Sequence, residues 1–360
     1  MNLKYKSNFS ETQDYFDAFW QKEVIDRPLV CVTAPKNGIE PVGHDFFNVN
    51  ILKAKNDPVY FETMLKGFER YVQSTAFLGE SIPYANFDFG PDTYASFFGA
   101  RIYASDTVAT TWVEPSVTDW DTFTGELDLS ANGMYMSYLQ MLEFATKFSE
   151  GKFLIGCPDC HSNLDTISAL RGPQNMCFDL MDYPDEVERA IHQAQRFYRR
   201  FFDDIVKTGD MLKRGSIGWC PQYSRGRFAT VQCDAICLIS PEQSRRFVIP
   251  FLVDECAAHD HVTYHYDGKE ALPHLDQILA IEGIDVIQWV PGDGAPRTIE
   301  WMELLHKIQA AGKGLWLYDW TVDEIKLRFK ELKPEGLCFS VNAASEDEAE
   351  ELLEFLKKHN

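Results

Sequence analysis

The sequence predicts an α/β protein, a single (β/α)8 TIM barrel spanning residues 1–360. Two observations predict it. The stretch HVTYHYDGKEALPHLDQILAIEGIDVIQWVPGDG, residues 261–294, holds two short runs of β-branched and aromatic residues. Between them Leu272, Leu275, Ile278 and Leu279 recur at helical spacing. That is strand, helix, strand, which within one sheet makes a right-handed crossover between parallel strands. The second observation is repetition. Strand-like runs at 29–34, 83–89, 152–156, within 216–238, 262–266, 284–290, 314–318 and 337–341 are each followed by a helix-length segment. Eight such repeats close a barrel. A doubly wound open sheet is the alternative, and it is weaker because no Gly-rich phosphate turn follows the first run.

Taken in order, residues 11–25 read as an amphipathic helix through Tyr15, Phe16, Phe19, Trp20 and Val24, ended by Asp26-Arg27-Pro28. Residues 58–78 are helical again, and the second strand ends in Gly90-Pro91. Residues 100–130 are rich in Thr, Val, Trp and Asp with weak alternation, and read as a small β insertion rather than another repeat. A helix at 134–149 leads into the third strand and the loop Cys157-Pro158-Asp159-Cys160-His161. One long helix covers roughly 184–208, and an Arg-rich excursion from Pro221 to Arg227 interrupts the fourth strand. Ser240-Pro241-Glu242 marks a helix start with Pro at its first position. The chain ends in an acidic helix from Ser345.

Composition excludes some function classes. The chain has 34 basic and 55 acidic residues, a net charge of -21. Binding phosphate polymers or anionic membranes needs clustered Lys and Arg, so neither nucleic acid nor a membrane is an expected partner. The first twenty residues lack the apolar run of a signal peptide, and no segment approaches the ~20 apolar residues of a membrane span. The expectation is a cytoplasmic protein whose nine scattered cysteines are free thiols.

In α/β folds ligands bind at the carboxyl ends of the strands. His265, Asp267 and His274 follow the start of one such end; Gln288, Trp289 and Asp293 follow another. His265 and Asp267, two apart and followed by Gly268, point the same way by the strand period. They are candidate catalytic residues, with hydrogen bonding to a neighbouring strand as the alternative for the histidine. His274 reads as a packing or supporting residue. Asp159 and His161 are candidate cleft-lining residues; Cys157 and Cys160 have no second pair to complete a four-sulfur site. Trp219, Tyr223, Trp289, Trp316 and Trp320 lie near strand ends, where converging aromatics would wall a pocket for an aromatic or a tetrapyrrole; core packing is the alternative. Arg225 and Arg227 could meet a substrate carboxylate or simply cap the excursion.

The order RPLVCV, PYANFDFGPDTYASFFGA, GCPDCHSNLDTISALRG, SPEQSRRFVIPFL, YHYDG and VIQWVPGDG resembles the uroporphyrinogen decarboxylase superfamily over nearly the whole chain. That resemblance implies a (β/α)8 barrel with a deep cleft at the strand carboxyl ends. It also implies one of two activities, decarboxylation of a carboxylated tetrapyrrole or corrinoid-linked methyl transfer. The decarboxylases carry an Arg-rich motif after the first strand; here that place reads Thr33-Ala34-Pro35-Lys36-Asn37-Gly38, with no Arg. Their essential aspartate falls best on Asp88, with Asp92 as the fallback. The methyltransferases hold zinc with His-x-Cys-Gly after the fifth strand and a Cys near the eighth. Here the first element reads His265-Tyr266-Asp267-Gly268, with Asp in place of Cys, and Cys338 is the thiol on the last strand.

The leading expectation is therefore a methyltransferase acting on a small methylated substrate, with a corrinoid protein as partner and zinc on His265, Asp267 and Cys338. Its catalytic residues would be Asp88, Asp159, His161, His265 and Asp267, and its substrate would meet Trp219, Arg225, Gln288, Trp289, Asp293 and Trp316. Replacing a thiolate by a carboxylate makes such a site harder, suited to activating a substrate oxygen. The alternatives are a cofactor-free decarboxylase in which Asp88 stabilises a protonated intermediate, and a barrel that only binds a tetrapyrrole. Both a monomer and a homodimer stay open.

Overall fold

The computed structural model describes residues 2–43, 51–104 and 111–360. Its centre is a seven-stranded sheet, mostly parallel. The strands are β1 (Leu29–Pro35), β2 (Thr75–Gly79), β9 (Phe228–Gln232), β10 (His261–Asp267), β11 (Val286–Val290), β12 (Gly314–Leu317) and β13 (Leu337–Asn342), in the order β2-β1-β13-β12-β11-β10-β9. First and last barrel strands pair in parallel, with Leu29 opposite Cys338 and Thr33 opposite Asn342. The remaining staves are short. β3 (Tyr84–Ala85) runs parallel to β6 (Leu154–Ile155), and a parallel bridge from Cys157 to Gly218 joins them to the hairpin of β7 (Ser216–Ile217) and β8 (Tyr223–Ser224). The result is barrel-like, but among the described residues the hydrogen-bonded ladders form separate arcs rather than one closed ring.

Strand alternation sorts the core. Val30, Val32 and Ala34 of β1, Val262, Tyr264 and Tyr266 of β10, and Leu337, Phe339 and Val341 of β13 face the surrounding helices in one apolar cluster. The opposite parity faces inward and is more polar, with Thr33, Thr263, His265, Gln288 and Ser340. The lower end is plugged by the helix Phe9–Trp20. Its Phe9, Phe16, Phe19 and Trp20 pack with Leu29, Cys31, Val286, Trp316 and Cys338, and Trp20 Nε1 donates to the Tyr223 carbonyl at 2.8 Å.

Several expected boundaries change. The helix expected at 58–78 ends at Ser74, and Thr75–Gly79 turns back as β2, antiparallel to β1. The helix expected at 184–208 is two, Pro184–Gln195 and Tyr198–Thr208. After β10 the chain makes a 3-10 turn, Lys269–His274, before the helix Leu275–Leu279. Pro273, which has no N–H to donate, sits inside that turn. Of the insertion expected at 100–130, β4 (Arg101–Ala104) and β5 (Thr111–Glu114) form an antiparallel hairpin, and residues 105–110 lie outside the described residues. No helix among the described residues is long and apolar enough to cross a membrane.

Candidate active site at the barrel mouth

On β10 the inward parity carries His265 and Asp267 to the carboxyl end of the strand. His265 stands opposite Gln288 in the ladder, and its Nδ1 lies 2.6 Å from Gln288 Oε1. The Cys220 thiol approaches the same oxygen at 3.4 Å. An amide oxygen is an acceptor only, so His265 carries a proton on Nδ1 and its other nitrogen, Nε2, is the one available to accept. The Trp219 ring packs edge-on against the imidazole, with centroids 4.9 Å apart. Asp267 Oδ1 is enclosed with no hydrogen-bond partner. Burial holds this carboxyl above its usual range; His265 pulls it back and Asp234 pushes it further up.

The loop after β6 brings the second group. Gln232, the last residue of β9, donates from Nε2 to Asp159 Oδ1 at 2.6 Å. The backbone N–H of Asp159 donates to Asp88 Oδ2 at 3.1 Å, and that of Gly90 to Asp88 Oδ1 at 2.8 Å. Burial and then the charge of Asp159 push Asp88 up to about 6. Burial also raises Asp159, against the pull of His161 and His265. Asp88, Asp159, His161, His265 and Asp267 therefore form one electrostatic neighbourhood assembled from three separate strand ends.

His161 sits among carboxylates. Its Nδ1 is 3.7 Å from Asp92 Oδ1, and its Nε2 is 3.6 Å from Asp234 Oδ2. Burial opposes a charge on this ring, but Asp92, Asp159, Asp165 and Asp234 outweigh it and push His161 up to about 10. Asp165, on the first turn of the helix Asn163–Arg171, accepts the backbone N–H of Asp234 at 2.9 Å and of Ala235 at 2.7 Å. One ligand atom each from His161, Asp165 and Asp234 lies within 4.8 Å of the others. The sequence reading missed Asp165 and Asp234 as a site. The available signals were the four-residue spacing of His161 and Asp165, and a carboxylate just past the end of a strand.

Two cavities open here. One, of about 230 Å³, is walled by Tyr71, Phe77, Tyr84 and Tyr318, with Thr33, Ser81, Ser340 and Asn342 as polar groups. Tyr84 OH donates to the Trp219 carbonyl at 3.3 Å, which ties this wall to the His265 neighbourhood. The other, of about 400 Å³, lies over His161, Asp165 and Asp234, under Trp112, Val113 and Leu238. Among the described residues, neither is lined by Lys or Arg.

Other expected residues lie elsewhere. Trp289 has the outward parity of β11: it pairs with Tyr266 in the ladder, packs edge-on against Trp301 and is fully buried in the helix layer. Trp320 is also in that layer, its Nε1 donating to Thr298 Oγ1 at 2.9 Å. Trp316 faces inward but low, in the cluster with the N-terminal helix, and donates to Ser340 Oγ at 2.8 Å. Arg225 is bound to Asp14 and Asp17 of that same helix, 2.7 Å from each, so it fastens the lower end and lines neither mouth cavity. Asp293 is exposed on the loop after β11. Tyr223 belongs to the lower plug, and His274 is buried against Ser244. Gln288 and Trp219 lie beside His265.

The zinc set does not fit. His265, Asp267 and Cys338 do not come together; among the described residues only His161, Asp165 and Asp234 meet ligand spacing. Gln288 and Trp316 stand between His265 and Cys338 in the ladder. Cys338 lies buried in the lower cluster beside Cys31, packed with the N-terminal helix rather than at the mouth. No step is routed through a metal on these three residues.

No family model matches the sequence, and no curated protein matches it. Among solved structures, a methyltransferase from Methanosarcina mazei has the same fold, with a TM-score of 0.62 over 97% of this chain and 98% of that one, at 13% sequence identity.

Proposed function

We propose that this chain is a methyltransferase that takes a methyl group from a small, uncharged or cationic methylated substrate and passes it to a corrinoid carried by a partner protein. The observation that carries this reading is the character of the mouth cavities: small, partly aromatic and, among the described residues, lined by no Lys or Arg, with His161 set among carboxylates as the one cationic group. A polycarboxylated tetrapyrrole would leave its carboxylates unpaired there, against six aspartates already present at Asp88, Asp92, Asp159, Asp165, Asp234 and Asp267. The end-to-end likeness to a methyltransferase supports the reaction class.

In this reading the substrate lies against Tyr71, Phe77, Tyr84 and Tyr318, whose rings exclude water and favour an apolar or methylated group. Thr33, Ser340 and Asn342 orient its polar end. His265, with its proton fixed on Nδ1 by Gln288, offers Nε2 to accept a proton or hold a water beside the substrate. A corrinoid, when bound by its partner, supplies the nucleophilic cobalt that receives the methyl group.

The test mixes the purified chain with reduced corrinoid and a panel of methoxylated aromatics, methanol and methylated amines, and follows conversion of Co(I) to methyl-Co(III) by visible absorbance. Turnover with one donor class, lowered at least about tenfold by His265→Ala, is expected. Release of carbon dioxide from a carboxylated tetrapyrrole, with no methyl transfer from any donor, would replace this reading by the Asp88 decarboxylase.

A further inference from the structure

We propose that His161, Asp165 and Asp234 bind a divalent first-row transition-metal cation that faces the cavity of about 400 Å³ and takes an oxygen of the bound substrate as a further ligand. Only the identity of that oxygen rests on the methyltransferase reading; the cation site stands on its own geometry.

The spacing is that of ligands around an ion. His161 Nε2 and Asp234 Oδ2 are 3.6 Å apart, beyond a hydrogen bond. Donor atoms sharing one ion at about 2.1 Å stand about 3–4 Å from each other, so the triad, within 4.8 Å throughout, closes with side-chain shifts of less than about 1 Å. The groups behind it are arranged as supports. Asp165 is held by two backbone N–H groups, from Asp234 and Ala235, which fix its carboxylate. Asp92 stands on the Nδ1 side of His161, 3.7 Å away, leaving Nε2 toward Asp234. A hydrogen bond from the outer nitrogen to a carboxylate usually orients a ligating histidine, and a shift of under about 1 Å brings Asp92 into that role.

The cavity sets three carboxylates, Asp92, Asp165 and Asp234, against one imidazole, His161, and no Lys or Arg lines it among the described residues. One imidazole and two carboxylates suit Zn²⁺, Mn²⁺, Fe²⁺ or Co²⁺ better than Ca²⁺, which takes six to eight oxygens. Three protein ligands leave a position open to the cavity.

The experiment uses the full chain, stripped with chelator and desalted, and titrated with Co²⁺ alone and then with Zn²⁺ in competition. One equivalent of Co²⁺ with visible d–d bands, displaced by Zn²⁺, is expected. Asp234→Asn should weaken binding at least about tenfold. Its side chain is 43% exposed, so this variant tests the ligand without disturbing the core. His161→Gln should do the same, and Cys338→Ser should bind as wild type does. Absence of stoichiometric binding by folded wild type overturns the site. So does binding that survives both Asp234→Asn and His161→Gln, or that is lost in Cys338→Ser. Metal binding without methyl transfer keeps this site and removes the methyltransferase reading; methyl transfer by protein that binds no metal does the reverse.

Discussion

At the scale of single residues, the mouth is held by groups that the sequence gives no reason to notice. Glu255, on the helix Ile249–Cys256, is fully buried, and Asn163 Nδ2 donates to both its carboxylate oxygens at 3.2 and 3.3 Å. Asn163 has φ 46°, a left-handed conformation that suits Asn better than most residues. It starts the helix that carries Asp165, directly after the loop that carries Asp159 and His161. Burial pushes Glu255 up to about 8, while bonds from Ser162, Asn163 and Gln195 pull it back. The folded chain thus keeps a proton that the unfolded chain loses near pH 4.5. Stability from this group is full below that pH and falls as pH rises toward 8. Glu255→Gln removes the titration and leaves an acceptor for Asn163. It should flatten the loss and raise stability at pH 7 to 8 by about 1–3 kcal/mol, read by urea unfolding across pH. An unchanged pH slope would mean that Glu255 is not protonated in the fold. Asp88 follows the same sign: pushed up to about 6 from 3.8, it costs stability as pH rises through that range. Asp88→Asn should therefore gain stability at pH 7 and none at pH 3, measured in the same way.

At the scale of elements, β2 carries a test of how the first strand is set. Glu80, just past β2, receives Arg27 in a two-pronged pair at 2.8 Å for each bond, and accepts the Val30 N–H at 2.9 Å. Both side chains are buried, at 8% and 3% exposure. Glu80→Ala strands the guanidinium and should cost about 3–5 kcal/mol in urea unfolding, with Arg27→Met, Glu80→Met together costing much less. A loss under 1 kcal/mol for the single variant would show the pair to be solvated. Gly79 adds a backbone constraint: at φ 55°, a Cβ there would meet the Val30 carbonyl oxygen at 2.2 Å. None of this was legible in the sequence. Phe77 extends the apolar pattern of the helix before it, and only the distant pairing with β1 turns Thr75–Gly79 into a strand. The period of two on β10 was legible, and it placed His265 and Asp267 together on the inward face. The same period, applied to β11, puts Gln288 inward and sends Trp289 outward; proximity to a strand end misled where parity did not.

At the scale of the whole molecule, the eight-repeat pattern located the mouth because each strand's ends are local signals, while the ladders that join the strands are not. Short staves such as β3 and β6 pair over two residues each, so their neighbours are set by packing rather than by long runs of hydrogen bonds. Cys338 shows the same limit. Its parity faces inward, but its height on the strand puts it against the plug formed by Phe9–Trp20, a contact between the two ends of the chain. What gathers at the mouth is acidic, with aromatic walls beside it and, among the described residues, no Lys or Arg lining either cavity. In the proposed reading that distribution suits a methyl donor rather than a polycarboxylate. The direct measurement is single-turnover reaction of the purified chain with reduced corrinoid and each methyl donor, followed at the cobalt by visible absorbance. Formation of methyl-Co(III) with one donor class, at a rate at least about tenfold slower in His265→Ala, is the predicted result. No methyl-Co(III) from any donor, alongside decarboxylation of a carboxylated tetrapyrrole that fails in Asp88→Asn, would contradict it.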